Sequence, residues 1–146
     1  MKNLFFLILI AVFLISCSEP PNSSDKALNN LSKIFNISAP EDLGDGRIFY
    51  KIQAVEVKGN DSIFVNPDIA DQKIKGCFDQ GLGLLPQKQK THEYSSIRKE
   101  LYNTYEWETL TEKVIIWNNY REIKKTGSIK TETGIGLFTR IWITKK

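Results

Sequence analysis

Cys77, His92, Glu106 and Glu108 are the residues of this chain whose types suit covalent or acid–base chemistry. A cysteine attacks as its thiolate. Lys73 and Lys75 are near enough in sequence to favour that form at Cys77, and His92, the single histidine, is the available partner base. Against this, Cys77 falls on an apolar stripe with Ile74 and Phe78, where a free cysteine packs as a small hydrophobe. His92 stands among polar neighbours, as a solvated side chain does. Glu106 and Glu108 flank Trp107, and on a strand they share one face ~7 Å apart, a separation usable in glycoside hydrolysis. Alternating glutamates also describe a wet strand face. One histidine and one thiol do not complete a metal site. A calcium loop counted from Glu41, near Gly46, would have Leu43 and Ile52 where oxygen ligands are needed, and Gly81-Leu82-Gly83 lacks the third glycine of a dinucleotide loop. The expectation is a non-catalytic protein without metal or cofactor. A thiol- or carboxylate-dependent hydrolase is kept as an alternative.

Binding chemistry is better represented. Trp107, Trp117 and Trp142 all lie in the carboxyl-terminal half, with Tyr94, Tyr102, Tyr105 and Tyr120 nearby. Their spacings match the expected elements, so most belong in a helix–sheet core. Trp107, Trp117 and Tyr120 are the ones expected to escape it. With Arg121, Lys124 and Lys125 beside them, and Lys130 across a turn, they form the candidate binding surface for glycan, peptide or anionic headgroups.

The elements that must carry these residues follow from periodicity. Asp25 is the expected cap of a helix whose apolar positions are Leu28, Leu31, Ile34 and Phe35. The turn-rich stretch Ile37–Gly46 ends it. Ile48–Val57 reads as a strand with a bulge near Ala54, Gly59-Asn60-Asp61 as a hairpin, and Ser62–Val65 as the return. Asn66-Pro67 starts a second helix with Ile69, Ala70, Ile74, Cys77 and Phe78 on one face. Gly81–Lys90 is expected to be a loop. Thr91 then caps a third helix carrying Tyr94, Ile97, Leu101 and Tyr105. From Trp107 the period becomes two, giving strands Glu112–Asn118, Ser128–Thr133 and Leu137–Thr144, with turns at Lys125–Gly127 and Gly134–Gly136. The expected fold is α+β: a small antiparallel sheet, hairpin plus carboxyl-terminal meander, with two or three helices on one side.

The amino-terminal stretch stands apart. It has one cation, Lys2, and then Leu4–Ile15 without a polar residue. As a helix that run is ~18 Å long, well short of the ~30 Å hydrocarbon core of a bilayer. A charged start, a short apolar middle and a small residue at its exit make an export signal. Leu14-Ile15-Ser16-Cys17 resembles a bacterial lipobox. The resemblance covers the leader alone and implies cleavage between Ser16 and Cys17, with diacylglycerol on the Cys17 sulfur and a further acyl chain such as palmitate on the new amino end. Two or more chains hold stably where one binds marginally. An ordinary cleaved signal and an uncleaved short anchor are the alternatives.

Three segments result: residues 1–16 as signal peptide, 17–26 as lipidated cysteine and tether, and 27–146 as a single α+β domain. Ser18–Lys26 is polar with Pro20-Pro21 and suits the tether. The whole chain is 41% hydrophobic with a formal charge of +3. Without the apolar leader the hydrophobic share falls to roughly 36%, still that of a folded domain. Loss of Lys2 lowers the charge by one, too little for a nucleic-acid footprint. With Cys17 lipidated no intramolecular disulfide forms, so packing alone holds the domain. Asp61-Ser62-Ile63 resembles the short O-glycosylation signal of Bacteroidota envelope proteins. Ser18 after Cys17 points to the outer membrane in a two-membrane host. The function expected is an envelope lipoprotein whose domain binds an envelope protein or polysaccharide. Inhibition of a lytic enzyme through a loop such as Gly81–Gln89 is a further alternative.

Overall fold

The structure is a computed structural model that describes residues 21–52, 66–94, 100–126, 129 and 131–146. The leader, the Ser16–Cys17 junction, the expected bulge and hairpin between 53 and 65, and Ser62 lie outside the described residues.

Six strands form one antiparallel sheet in the order β1-β2-β6-β5-β4-β3. They are β1 (Glu41–Asp42), β2 (Arg47–Ile52), β3 (Lys88–Tyr94), β4 (Glu100–Glu108), β5 (Glu112–Thr126) and β6 (Thr131–Lys145). Strands β3 to β6 form a meander, and β2 pairs on the far side of β6, from Arg47↔Thr144 to Ile52↔Thr139. Two helices complete the fold: α1 (Ser24–Ser32) and α2 (Pro67–Leu82). The architecture is α+β.

The period of two divides the sheet residues cleanly. Tyr105, Trp107, Val114, Ile116, Leu137, Ile141 and Ile143 are buried and join Ala27, Leu31, Phe35, Ala70, Ile74 and Phe78 in one core. Trp107 Nε1 donates to Asp79 of α2 at 3.1 Å, and Tyr105 Oη donates to Asp71 of α2 at 2.6 Å. These bonds fix α2 against that face.

Helix α2 begins where the sequence places it. Asn66 caps it, accepting from the Asp68 and Ile69 amides, with Pro67 at the first turn. Ile69, expected on the buried stripe, is 51% exposed. Gly76 does not interrupt the helix, which runs on to Leu82 and ends at Gly83 with φ +71°. The expected loop is thus reduced to residues 83–87. At Gly81 a Cβ would lie 2.5 Å from Ala27, so glycine lets α1 and α2 touch at the backbone.

Four expectations are corrected. The cap of α1 is Ser23 rather than Asp25, its side chain accepting from the Lys26 amide. The domain therefore starts before residue 27: the Ser23 amide donates to Gly81 O at 2.8 Å, and Ser24 is fully buried. The helix expected after Thr91 is the β3–β4 hairpin. Its apparent helical spacing joins Tyr94 of one strand to Leu101 and Tyr105 of the next, Ile97 lying outside the described residues, and β4 alternates buried Tyr105 and Trp107 with Glu106 and Glu108. Finally, Gly134–Gly136 is no turn. It lies within β6, registered opposite Ile123, Glu122 and Arg121, so β5 and β6 form one long hairpin of continuous register.

Candidate functional site

On the face of the sheet turned away from the helices, side chains from five strands line up as a row of rings. Phe49 of β2 is registered opposite Trp142 of β6, with centroids 5.4 Å apart. Trp142 meets Trp117 of β5 edge to face at 5.3 Å, and Trp117 meets Tyr102 of β4 at 5.9 Å. Tyr102 is stacked on His92 of β3, 4.4 Å apart and within 3° of parallel. The row crosses four strand spacings, ~19 Å. These are the separations at which rings attract through their quadrupoles. Trp117 remains 43% exposed in the middle.

Beside the row lies a concavity of about 730 Å³, with Phe49, Tyr102, Trp117 and Trp142 among its walls. Its size and its mixture of rings and polar groups suit a small ligand or a segment of a larger one. Lys51, Asn119, Arg121 and Arg140 supply the polar groups, and Glu41 and Leu43 close one side. The Arg121 guanidinium lies 5.5 Å from the centre of the Phe138 ring, a cation–π contact. Gly136, opposite Arg121, contributes no side chain there. No described carboxylate forms an ion pair with Lys51, Arg121 or Arg140. Asn119 Oδ1 is buried without a hydrogen-bond partner.

The sequence-derived candidates divide. Trp117 and Arg121 belong to this face. Trp107 is fully buried under the helices, correcting its expected exposure. Tyr120 is on the covered side, donating to Asp68 at 3.1 Å, and burial first, then the Asp71 and Asp68 carboxylates, push its hydroxyl pKa up. Lys124 and Lys125 lie farther along β5, registered opposite Thr133 and Glu132. Trp142 and Tyr102, assigned to the core from sequence, stand instead on the open face. Phe49, Lys51, Asn119 and Arg140 join them, residues that no motif singles out. The signal for them is the second half of each alternation: Phe138, Arg140, Trp142 on one strand and Trp117, Asn119, Arg121 on the next.

The nucleophilic candidates are not assembled. Cys77 is buried on the helix side, where burial pushes its thiol pKa up, while His92 is stacked on the opposite face. Glu106 bonds Lys113 at 2.8 Å and is 3.6 Å from Lys88. Glu108 bonds Lys146 at 2.8 Å. The Lys113 and Lys146 hydrogen bonds hold these carboxyls below their usual range, so each is an ionised partner in a pair. Among the described residues no three His, Cys, Asp or Glu side chains gather as a metal site, and no helix is long and apolar enough to cross a membrane.

At the end of the sheet where α1 begins, Glu112 accepts from the Ser24 amide (2.7 Å), Ser24 Oγ (2.5 Å) and Lys145 Nζ (2.6 Å). Burial alone would raise its pKa. The Lys145 and Ser24 hydrogen bonds outweigh burial and set it below the usual range. This knot ties the start of α1 to both long strands.

Compared with known proteins, the chain matches no family model, no curated protein and no solved structure.

Proposed function

We propose that this protein is a lipid-anchored, non-catalytic binding module of the bacterial cell envelope, exported by residues 1–16 and held in the membrane through Cys17. The open face of its sheet takes an envelope polysaccharide. The observation that carries the binding half is the row Phe49–Trp142–Trp117–Tyr102–His92 beside a cavity rimmed by cations. Cross-strand ring pairs lend a sheet some stability, but a contiguous, partly exposed row of five beside a cavity exceeds what pairing needs, and such patches mark binding sites. The lipobox resemblance of Leu14–Cys17 supports the anchoring half.

With helix α1 capped at Ser23, the tether of this reading is short. Only Ser18–Asn22 separate that cap from Cys17, ~16 Å if extended. The membrane would then lie near the Ser24–Glu112–Lys145 knot. The β5–β6 tip, fourteen residues along the hairpin, would point ~46 Å away, leaving the ring row on the flank.

Two measurements test the reading. Intact-mass analysis of the protein from its native host should find a chain lacking sixteen residues and carrying acyl groups; an unmodified soluble product removes the anchor. The full-length protein in detergent should be retained by envelope polysaccharide, and Trp117→Ala should abolish retention. Equal retention of that variant removes the face from the function.

A further inference from the structure

The cations around the cavity differ from those at the anchor end of the sheet. There, Lys145 bonds Glu112, Lys146 bonds Glu108, and Lys113 bonds Glu106. At the cavity, Lys51 and Arg140 are registered opposite one another on β2 and β6, and Arg140 is opposite Trp117 on β5. Arg121 reaches the same hollow from farther along β5, its guanidinium held by Phe138. Three cations therefore face one carboxylate, Glu41, across the lining. None of the three has an ion pair with a described carboxylate.

We infer that the ligand of this face is an acidic glycan whose sugars carry carboxylates, bound with pyranose faces on the rings and carboxylates on Lys51, Arg121 and Arg140. This rests on the polysaccharide reading above and adds the charge of the sugar. Each part of the lining has a counterpart in such a polymer. A pyranose presents a face of C–H groups that packs on an aromatic ring, and the row offers several rings in succession. Its equatorial hydroxyls lie at the rim, where Glu41 accepts. A uronate carboxylate presents two coplanar oxygens, the pattern an arginine fork binds with two parallel bonds. A neutral glycan would satisfy the rings and leave three cations without counter-charge. An acyl chain would leave every polar group of the lining unpaired.

The test uses the full-length protein in detergent with a panel of glucuronate, galacturonate and mannuronate oligosaccharides, each also supplied with its carboxyls methyl-esterified. Binding is followed by tryptophan fluorescence and calorimetry at low and high salt. At least one acidic member should bind, and its ester should bind about ten- to a hundredfold more weakly, the loss of one or two charge-assisted contacts. Arg140→Gln and Lys51→Gln, both on the solvent face, should each lower affinity for the acid about tenfold and leave the ester unchanged. Equal binding of acid and ester overturns the inference and leaves the polysaccharide reading intact. So does failure of the whole panel while Trp117-dependent retention on envelope polysaccharide persists. Retention that ignores Trp117→Ala overturns both. Binding of a single-stranded oligonucleotide in place of every glycan also overturns both.

Discussion

The two faces of the sheet reverse the usual distribution of chemistry. Under the helices, amid the hydrophobic core, sits a polar cluster. Asp71, 1% exposed, accepts from Tyr105 Oη at 2.6 Å, Asn118 Nδ2 at 2.7 Å and Asn103 Nδ2 at 3.3 Å, and Thr139 Oγ1 donates to Asn118 Oδ1 at 2.7 Å. Every member has a partner within the cluster, so the network can be buried at acceptable cost and specifies how α2 registers on the sheet. On the solvent side the rings are only partly covered, and around the cavity Lys51, Arg121 and Arg140 have no ion pair with a described carboxylate. One face is chemically complete. The other lacks the groups that a ligand would bring.

That contrast predicts unequal responses to mutation, the largest at Asp71. Asp71→Ala removes the acceptor for Tyr105, Asn118 and Asn103 and strands their donors in the core. The cost should be about 3–5 kcal/mol of stability by urea titration, because each buried unsatisfied donor costs ~1–3 kcal/mol. Asp71→Asn keeps one acceptor oxygen and should lose less. A change under ~1 kcal/mol would mean that the cluster is wet, and the comparison between the faces would lose its first term.

Next comes Glu112, where the sign follows from linkage. Its folded pKa lies below that of an ordinary glutamate, so the folded state binds fewer protons than the unfolded chain. The stabilisation is therefore present above about pH 4.5 and is lost as pH falls through the lower, folded value. Glu112→Gln should cost about 2 kcal/mol at neutral pH, and the gap to the parent should narrow on acidification. Chemical denaturation between pH 7 and 3 checks this. A gap that does not change with pH would show that the Ser24 contacts, not the charge, hold the knot.

Gly81→Ala should follow at about 1–3 kcal/mol, since the new Cβ meets Ala27 backbone at 2.5 Å and the helices must part. Thermal unfolding measures it. An ordinary helix glycine gains up to ~1 kcal/mol from the same change, so the sign alone is decisive.

These covered-side features were unevenly legible in the chain. The start of α2 was plain because Asn66-Pro67 is a local cap whose chemistry needs no distant partner. The start of β5 was plain because Val114 and Ile116 alternate with polar residues around them. The β3–β4 hairpin is hidden in the chain, since Leu101 and Tyr105 happen to fall four apart and strand pairing is non-local. Gly134 and Gly136 announced a turn that the long ladder with Arg121–Ile123 overrides. Of the candidate site, Trp117 and Arg121 were found. Phe49, Tyr102 and Trp142 became neighbours only through register across β2, β6, β5 and β4, which no single-strand pattern encodes.

The smallest stability effect should come from the most consequential position on the open face. Trp117→Ala removes a ring that is 43% exposed and touches Trp142 and Tyr102 at 5.3 and 5.9 Å. Aromatic pairs contribute ~0.5–1.5 kcal/mol each when buried, and solvent already reaches much of this ring, so the fold should lose about 1 kcal/mol or less. Ligand retention should be lost altogether, because the ring lies mid-row with Trp142 on one side and Tyr102 on the other. A residue that matters to the fold and not to a ligand gives the opposite pair of results, and Asp71→Asn serves as that control. Should Trp117→Ala destabilise the protein as much as Asp71→Ala, the ring row would be a second core packed from outside. The two faces would then be alike, each completed by contacts within the protein itself.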